Sequence, residues 1–307
     1  MTYMVNSHEY DGQIARHADN LGAASTHPNA RATIMAVQPE MSNMALFCDF
    51  ENVAIGVRDA KYPEFDIKKV LARLLVKGSI VVKKAYCDWD RYKEFKATMH
   101  EAAFELIEIP HIRQSGKNSA DIRLVVDALD LCYTKSHVDT FVIISGDSDF
   151  SPLVSKLKEN NKRVIGVGVK DSTSDLLSGA CHEFIYYDDL VRAQEAKKQA
   201  SKTFSPLPIK NSSKKAAQKS EDDKRLEVLE FLADTVEALI NERGSDEKLW
   251  GSMVKPTMQR RRPGFNESSY GYRSFKELVE DAEQRKLVVV TRDEKSGQYT
   301  IRLPATS

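Results

Sequence analysis

The sequence has no CxxC pair, no apolar run of membrane-spanning length, no charged leader followed by an apolar core, and no net charge. Each absence bears on function. The four cysteines, Cys48, Cys87, Cys132 and Cys181, stand far apart inside apolar patterns. That leaves zinc-knuckle and dithiol-redox readings without their main support and fits buried free thiols in a reducing compartment. Without a spanning segment or signal sequence, the chain reads as cytoplasmic, with no membrane partner. Lys and Arg number 45, as do Asp and Glu. Bulk electrostatic capture of a polyanion is therefore unavailable, and nucleic-acid contact requires a local basic patch.

What is present centres on residues 141–150, FVIISGDSDF. Four apolar or β-branched residues run into Ser145-Gly146-Asp147-Ser148-Asp149, the pattern of a strand buried on both faces that ends in a turn. Ser151-Pro152 then opens a helical pattern at Leu153, Val154 and Leu157,. Two carboxylates thus fall at the carboxyl end of a buried strand, where open α/β sheets bind ligands.

Residues 1–43, rich in Asn, Ala, Ser, His and Thr, carry no sustained period and read as a disordered tail,. Its histidines, His8, His17 and His27, are too irregularly spaced for a metal site. Met41 and Met44 stand as alternative starts. From residue 44 a first buried strand runs to Asp49, with Phe50-Glu51-Asn52 following. A helix carries Ile67, Val70, Leu71, Leu74 and Leu75. Then come a strand at 79–86, a helix at 89–104, a strand at 104–109, and a polar loop at 114–119. A helix at 120–132 has Ile122, Val125, Val126 and Leu129 on its apolar side, and further strands lie at 163–169 and 183–187,. Strands alternating with helices predict a parallel α/β sheet. Residues 193–222, with seven lysines against three acids, read as a linker, helical at its start,. Residues 223–303 change pattern to three helices and a hairpin around 294–297, the outline of a winged helix.

Three elements in the 44–192 segment deliver carboxylates toward one edge: Asp49, Asp121, and Asp147 with Asp149. Carboxylate oxygens plus water suit Mg²⁺ or Mn²⁺, which lowers the pKa of bound water and neutralises a phosphodiester in flight. Spacing leaves open whether one metal or two are held. Singly, each acid also has a structural reading: Asp121 as a first-turn acid, Asp149 as a cap, Asp147 as a turn residue. Asp127, six positions after Asp121, is aimed away from the same point and reads as a supporting acid. Glu51 alternates to the other side of the strand from Asn52 and is the weaker candidate. His111 follows Pro110 near a strand end and reads as structural.

Asp49-Phe-Glu-Asn52, Lys117-Asn-Ser-Ala-Asp121 and Ser145-Gly-Asp147-Ser-Asp149-Phe150 together resemble the NYN family, a branch of PIN-like nucleases, over roughly residues 44–190. The resemblance implies a PIN-like sheet, a divalent metal on Asp49, Asp121, Asp147 and Asp149, and endonucleolytic cleavage of RNA. It gives Asn52 the orienting of a phosphate or metal water. Lys117, in the polar loop, reads as a phosphate contact or as a solvated loop lysine. Aspartyl phosphatases also start from an Asp at a first strand's end, but the residue two after Asp49 is Glu51, so their local DxD is missing. A non-cleaving adaptor for RNA or protein on the same fold is the other alternative.

In 223–303, Leu249-Trp250, Lys255-Pro256, Arg260-Arg-Arg-Pro263, Gly264-Phe265-Asn266 and Ser269-Tyr-Gly-Tyr272 through Phe275-Lys-Glu-Leu278 resemble an OST-HTH, or LOTUS, domain. That family is a winged-helix module implied to bind RNA or dock a protein. Trp250, Phe265, Tyr272, Phe275 and Leu278 read first as core. Arg260, Arg261 and Arg262 form the best local phosphate patch, with Arg273, Lys276, Arg292 and Lys295 as additions. A helix of this kind equally suits DNA.

Overall fold

The computed structural model describes residues 42–109, 118–203, 221–244, 247–292 and 298–304, with side chains at 197–203 and 221 left aside. Lys117, His111 and Lys295, all but the last two residues of the 1–43 tail, and the linker beyond 203 as far as 220 lie outside the described residues. The apolar runs read from the sequence become strands: β1 (Ser42–Asp49), β2 (Gly78–Cys87), β3 (Glu105–Glu108), β4 (Thr140–Ile144), β5 (Arg163–Gly168) and β6 (Glu183–Tyr186). Among the described residues these form one parallel sheet in the order β3-β2-β1-β4-β5-β6. The order reverses between β1 and β4, which makes their carboxyl ends the crevice of the sheet.

Helices cover both faces. On one side, α1 (Phe50–Asp59), α2 (Ile67–Lys77), α3 (Lys93–Glu101) and the start of α7 (Tyr187–Thr203) pack on Met44, Leu46, Cys48, Val142 and Ile144. On the other, α4 (Ser119–Thr134), α5 (Ser151–Glu159) and α6 (Asp175–Ala180) pack on Ala45, Phe47, Phe141 and Ile143. Alternate residues of β1 and β4 therefore serve opposite cores, as the period-2 pleat requires. Cys48, Cys87 and Cys132 are buried free thiols and Cys181 is a half-buried one.

Two elements differ from the sequence reading. Glu51 and Asn52 do not continue a strand: Asp49 caps α1 by accepting the Asn52 N–H, and Phe50, Val53 and Val57 supply its buried stripe,. The second is the apolar side of α4. It buries Leu124, Ala128 and Cys132, while Ile122 and Val126 are 62% and 55% exposed. The helix is rotated by its polar anchors, because Asp127 accepts from Tyr86 Oη at 2.9 Å and from Lys84 Nζ at 3.2 Å on β2. Burial pushes the Asp127 carboxyl up, but these bonds and the Arg123 charge outweigh it and hold it low.

The C-terminal segment comprises α8 (Glu221–Arg243), α9 (Gly251–Arg261), α10 (Phe275–Gln284) and the antiparallel pair β7 (Val289–Arg292) and β8 (Tyr299–Arg302). Val228, Leu232, Val236, Phe265, Tyr272, Phe275 and Leu278 form its core. Trp250, expected there, is only half-buried at the start of α9, and its neighbour Leu249 is buried instead. Val76 at the end of α2 belongs to the same core. Beside it, Lys77, 7% exposed, pairs with Glu183 at 2.8 Å and with Glu242, and Arg73 pairs with Glu242 at 2.7 Å. The C-terminal helices are therefore seated directly on α2.

Candidate metal centre

Asp49 is the last residue of β1, and Ile144, opposite Cys48 in register, leads into the Ser145-Gly146-Asp147 turn after β4. Asp49 is buried, and both its oxygens are held. Oδ1 accepts the Asn52 N–H at 3.3 Å and Oδ2 accepts the Ser145 hydroxyl at 3.0 Å. Asn52 in turn uses Oδ1 to accept the Gly146 N–H at 2.9 Å. Ser145 Oγ also accepts the Asp147 N–H at 3.2 Å, and Asp147 Oδ1 accepts the Asp149 N–H at 2.9 Å. One chain of hydrogen bonds thus runs from the end of β1 to the turn that bears both later acids. Gly146 is required by crowding: a Cβ there would lie 2.2 Å from the Ser172 carbonyl oxygen, on the loop after β5.

Asp121, in the first turn of α4, completes the edge. Burial lifts its carboxyl to about 6, with added repulsion from Asp147, Asp149 and Glu51. Burial likewise lifts Asp49 to about 7, helped by the Asp121 and Asp147 charges and opposed by the Ser145 and Asn52 hydrogen bonds. The four aspartates predicted from the sequence are thereby brought into one electrostatic neighbourhood. Glu51 joins them from the first turn of α1, where it holds Arg91 at 3.0 Å. Ser145 was not visible as a site residue, since in the sequence it is one more turn serine.

Among the described residues no three His, Cys, Asp or Glu side chains converge closely enough to cage an ion. The donor set nonetheless fits a hard divalent cation. It consists of carboxylates whose mutual repulsion a cation relieves, and Mg²⁺ binds through one or two carboxylates while retaining waters.

The basic patch is differently placed. Arg260 donates to the Leu75 and Val76 carbonyls at 3.0 and 3.4 Å, capping the end of α2,. Arg261 donates to Thr235 Oγ1 at 2.8 Å. Arg262 donates to Glu227 and Tyr270 at 3.1 and 3.2 Å and lies over the Phe231 ring at 4.4 Å. Arg261 and Arg262 thus hold the C-terminal segment together, and Arg260 ties it to α2. Arg273 and Lys276 are exposed, the latter facing Glu280 at 3.5 Å.

Comparison with known proteins matches residues 43–188 to the family model described as the NYN domain. An uncharacterized protein of Methanocaldococcus jannaschii is 28% identical over 112 residues, which is 36% of this chain and 43% of the relative. A crystal structure of a protein of unknown function from Vibrio parahaemolyticus RIMD 2210633 covers 50% of this chain and 98% of its own, at 27% identity and a TM-score of 0.44. No helix among the described residues is long and apolar enough to cross a membrane. The stretch that builds the sheet and its acidic edge is thus similar to NYN domains.

Proposed function

We propose that the protein is a divalent-metal-dependent endoribonuclease that hydrolyses RNA phosphodiesters at the edge formed by Asp49, Asp121, Asp147 and Asp149. The observation that carries this reading is the hydrogen-bonded chain from Asp49 through Ser145 to Asp147 at the sheet's switch point, where burial first and neighbouring carboxylates second raise Asp49 and Asp121,. Bound there, Mg²⁺ or Mn²⁺ supplies a water of lowered pKa and positive charge against the phosphodiester. The chain's own part is orientation. Ser145 and the Asn52 N–H fix Asp49 by both oxygens, and Asn52 holds the Asp147 turn through Gly146. Asn52 is on this account a positioning residue, with its side-chain oxygen engaged by the protein.

We further propose a division into a catalytic body at 44–192, a linker at 193–222 and a winged-helix, OST-HTH-like body at 223–303 that presents RNA or docks a protein. With Arg260, Arg261 and Arg262 engaged internally, its phosphate contacts fall to exposed groups such as Arg273 and Lys276. The test is incubation of the full chain with labelled single-stranded and structured RNA, with Mn²⁺ or EDTA, beside Asp147→Asn. Asn keeps the capping geometry, so metal-dependent cleavage lost in this variant is the expected result. Cleavage retained in it removes the assignment, and binding without cleavage by either protein favours the adaptor.

A further inference from the structure

A cleft of about 290 Å³ opens between α1, the loop after it and α3. Its walls are Tyr62, Tyr92 and Phe95, with Arg58, Glu64 and Glu94 around it. Tyr92 and Phe95 are the half-exposed outer members of an aromatic cluster centred on Phe50, with ring centroids 5.6 and 5.1 Å from it. Phe50 directly follows Asp49, so the cluster and the acidic edge share the start of α1. The surface is also continuous with that edge, because Arg91 pairs with Glu51 at 3.0 Å and lies 6.0 Å from the Tyr92 ring. Along α1 the rise from Asp49 to Ile55 is about 9 Å, on the order of one nucleotide.

We propose that this cleft takes an unpaired nucleobase of the RNA whose phosphate lies at the acidic edge, an inference that rests on the nuclease reading above. The wall chemistry selects the base over the backbone. Half-exposed aromatic rings offer stacking faces to any base. Arg58, with its side chain 74% exposed, offers a planar cation to the same stack,. Glu64 and Glu94, both exposed, repel phosphate but accept hydrogen bonds from base amino and imino groups. The Tyr62 hydroxyl is occupied by Asp188 at 2.9 Å, leaving its ring as the contributing part. A base-paired strand keeps its bases stacked within the duplex, so the cleft favours single-stranded over duplex substrates.

The probe is a short single-stranded oligoribonucleotide carrying 2-aminopurine, whose fluorescence is quenched by stacking. It is titrated in EDTA into the full chain bearing Asp147→Asn, and into the same protein with Tyr92→Leu or Arg58→Ala. Leu preserves apolar packing on Phe50, Arg58 is at the surface, and thermal melting checks that each variant is folded. The expected result is quenching by the Asp147→Asn protein that each further substitution diminishes, with affinity falling roughly tenfold and duplex RNA binding unchanged. Equal quenching and equal affinity in all three proteins would overturn the proposal. So would equal losses for single-stranded and duplex RNA. Loss of quenching in the variants, with no cleavage by the unsubstituted chain, keeps the base site and removes the nuclease. Cleavage with quenching insensitive to both substitutions does the reverse.

Discussion

The side-chain oxygen of Asn52 accepts the backbone N–H of Gly146 at 2.9 Å, joining the first turn of α1 to the turn after β4 across 94 positions of sequence. Both turns carry acids of the candidate centre, so this bond sets their separation. Asn52→Ala leaves the Gly146 N–H without its acceptor, at a cost of about 1–2 kcal/mol. The larger expected effect is on cleavage, which falls at least roughly tenfold. Single-turnover assays beside thermal melts check this; unchanged cleavage with a lowered melting temperature would make Asn52 merely structural.

Gly146→Ala is expected to be worse for the site than for the fold. The added methyl meets the backbone oxygen of Ser172 rather than a flexible side-chain tip, so the turn bearing Asp147 must move. About 1–3 kcal/mol of stability is lost, and metal-dependent cleavage goes with it. Urea melts and cleavage rates measured on the same preparation separate the two losses.

The raised carboxyls give a signed pH dependence. Asp49 at about 7 and Asp121 at about 6, against an ordinary 3.8, mean that the folded metal-free protein holds protons the unfolded chain releases. Their contribution to stability is full below about pH 4 and is lost as pH rises through 6 to 7. In EDTA the melting temperature should therefore fall between pH 5 and 8, and Asp121→Asn should flatten that fall. A profile that rises over this window, or an Asp121→Asn profile identical to that of the unsubstituted chain, would contradict the arrangement.

Lys77 supplies a prediction away from the centre. It sits between Glu183 of β6 and Glu242 of α8, and Lys77→Ala removes the cation they share, leaving Glu183 to Arg163 and Glu242 to Arg73. The expected cost is about 2–3 kcal/mol in denaturant melts. Lys77→Met, which keeps the stem but not the charge, should cost nearly as much.

How far the sequence showed all this varies by element. β1 and β4 were legible because uninterrupted apolar runs end in an aspartate, Asp49, or in a Ser-Gly-Asp turn, 145–147, the pattern of a buried strand and its end,. The helix after Asp49 was hidden. Gly56 and the charged Glu51, Arg58 and Asp59 thin its stripe, so Asn52 was placed on a strand face it does not occupy. In α4 two apolar stripes overlap, and the choice between them is made by Asp127 reaching Tyr86 and Lys84, a tertiary contact no local period encodes. Arg260-Arg261-Arg262 looks like a surface patch for the same reason. Nothing near it in the chain reveals that the carbonyl end of α2 lies opposite.

The last turn of α2 is thus the joint at which the sheet body and the C-terminal helices meet. Val76 is an apolar side chain that a free-standing sheet body would present to water, and Lys77 a cation it would leave with a single partner. A fragment ending soon after β6 inherits both liabilities, together with the uncapped carbonyls of Leu75 and Val76. The sheet and the C-terminal helices therefore depend on each other: a polar side chain at position 76 would open the C-terminal core, and neutralising Glu242 would leave Lys77 to Glu183 alone.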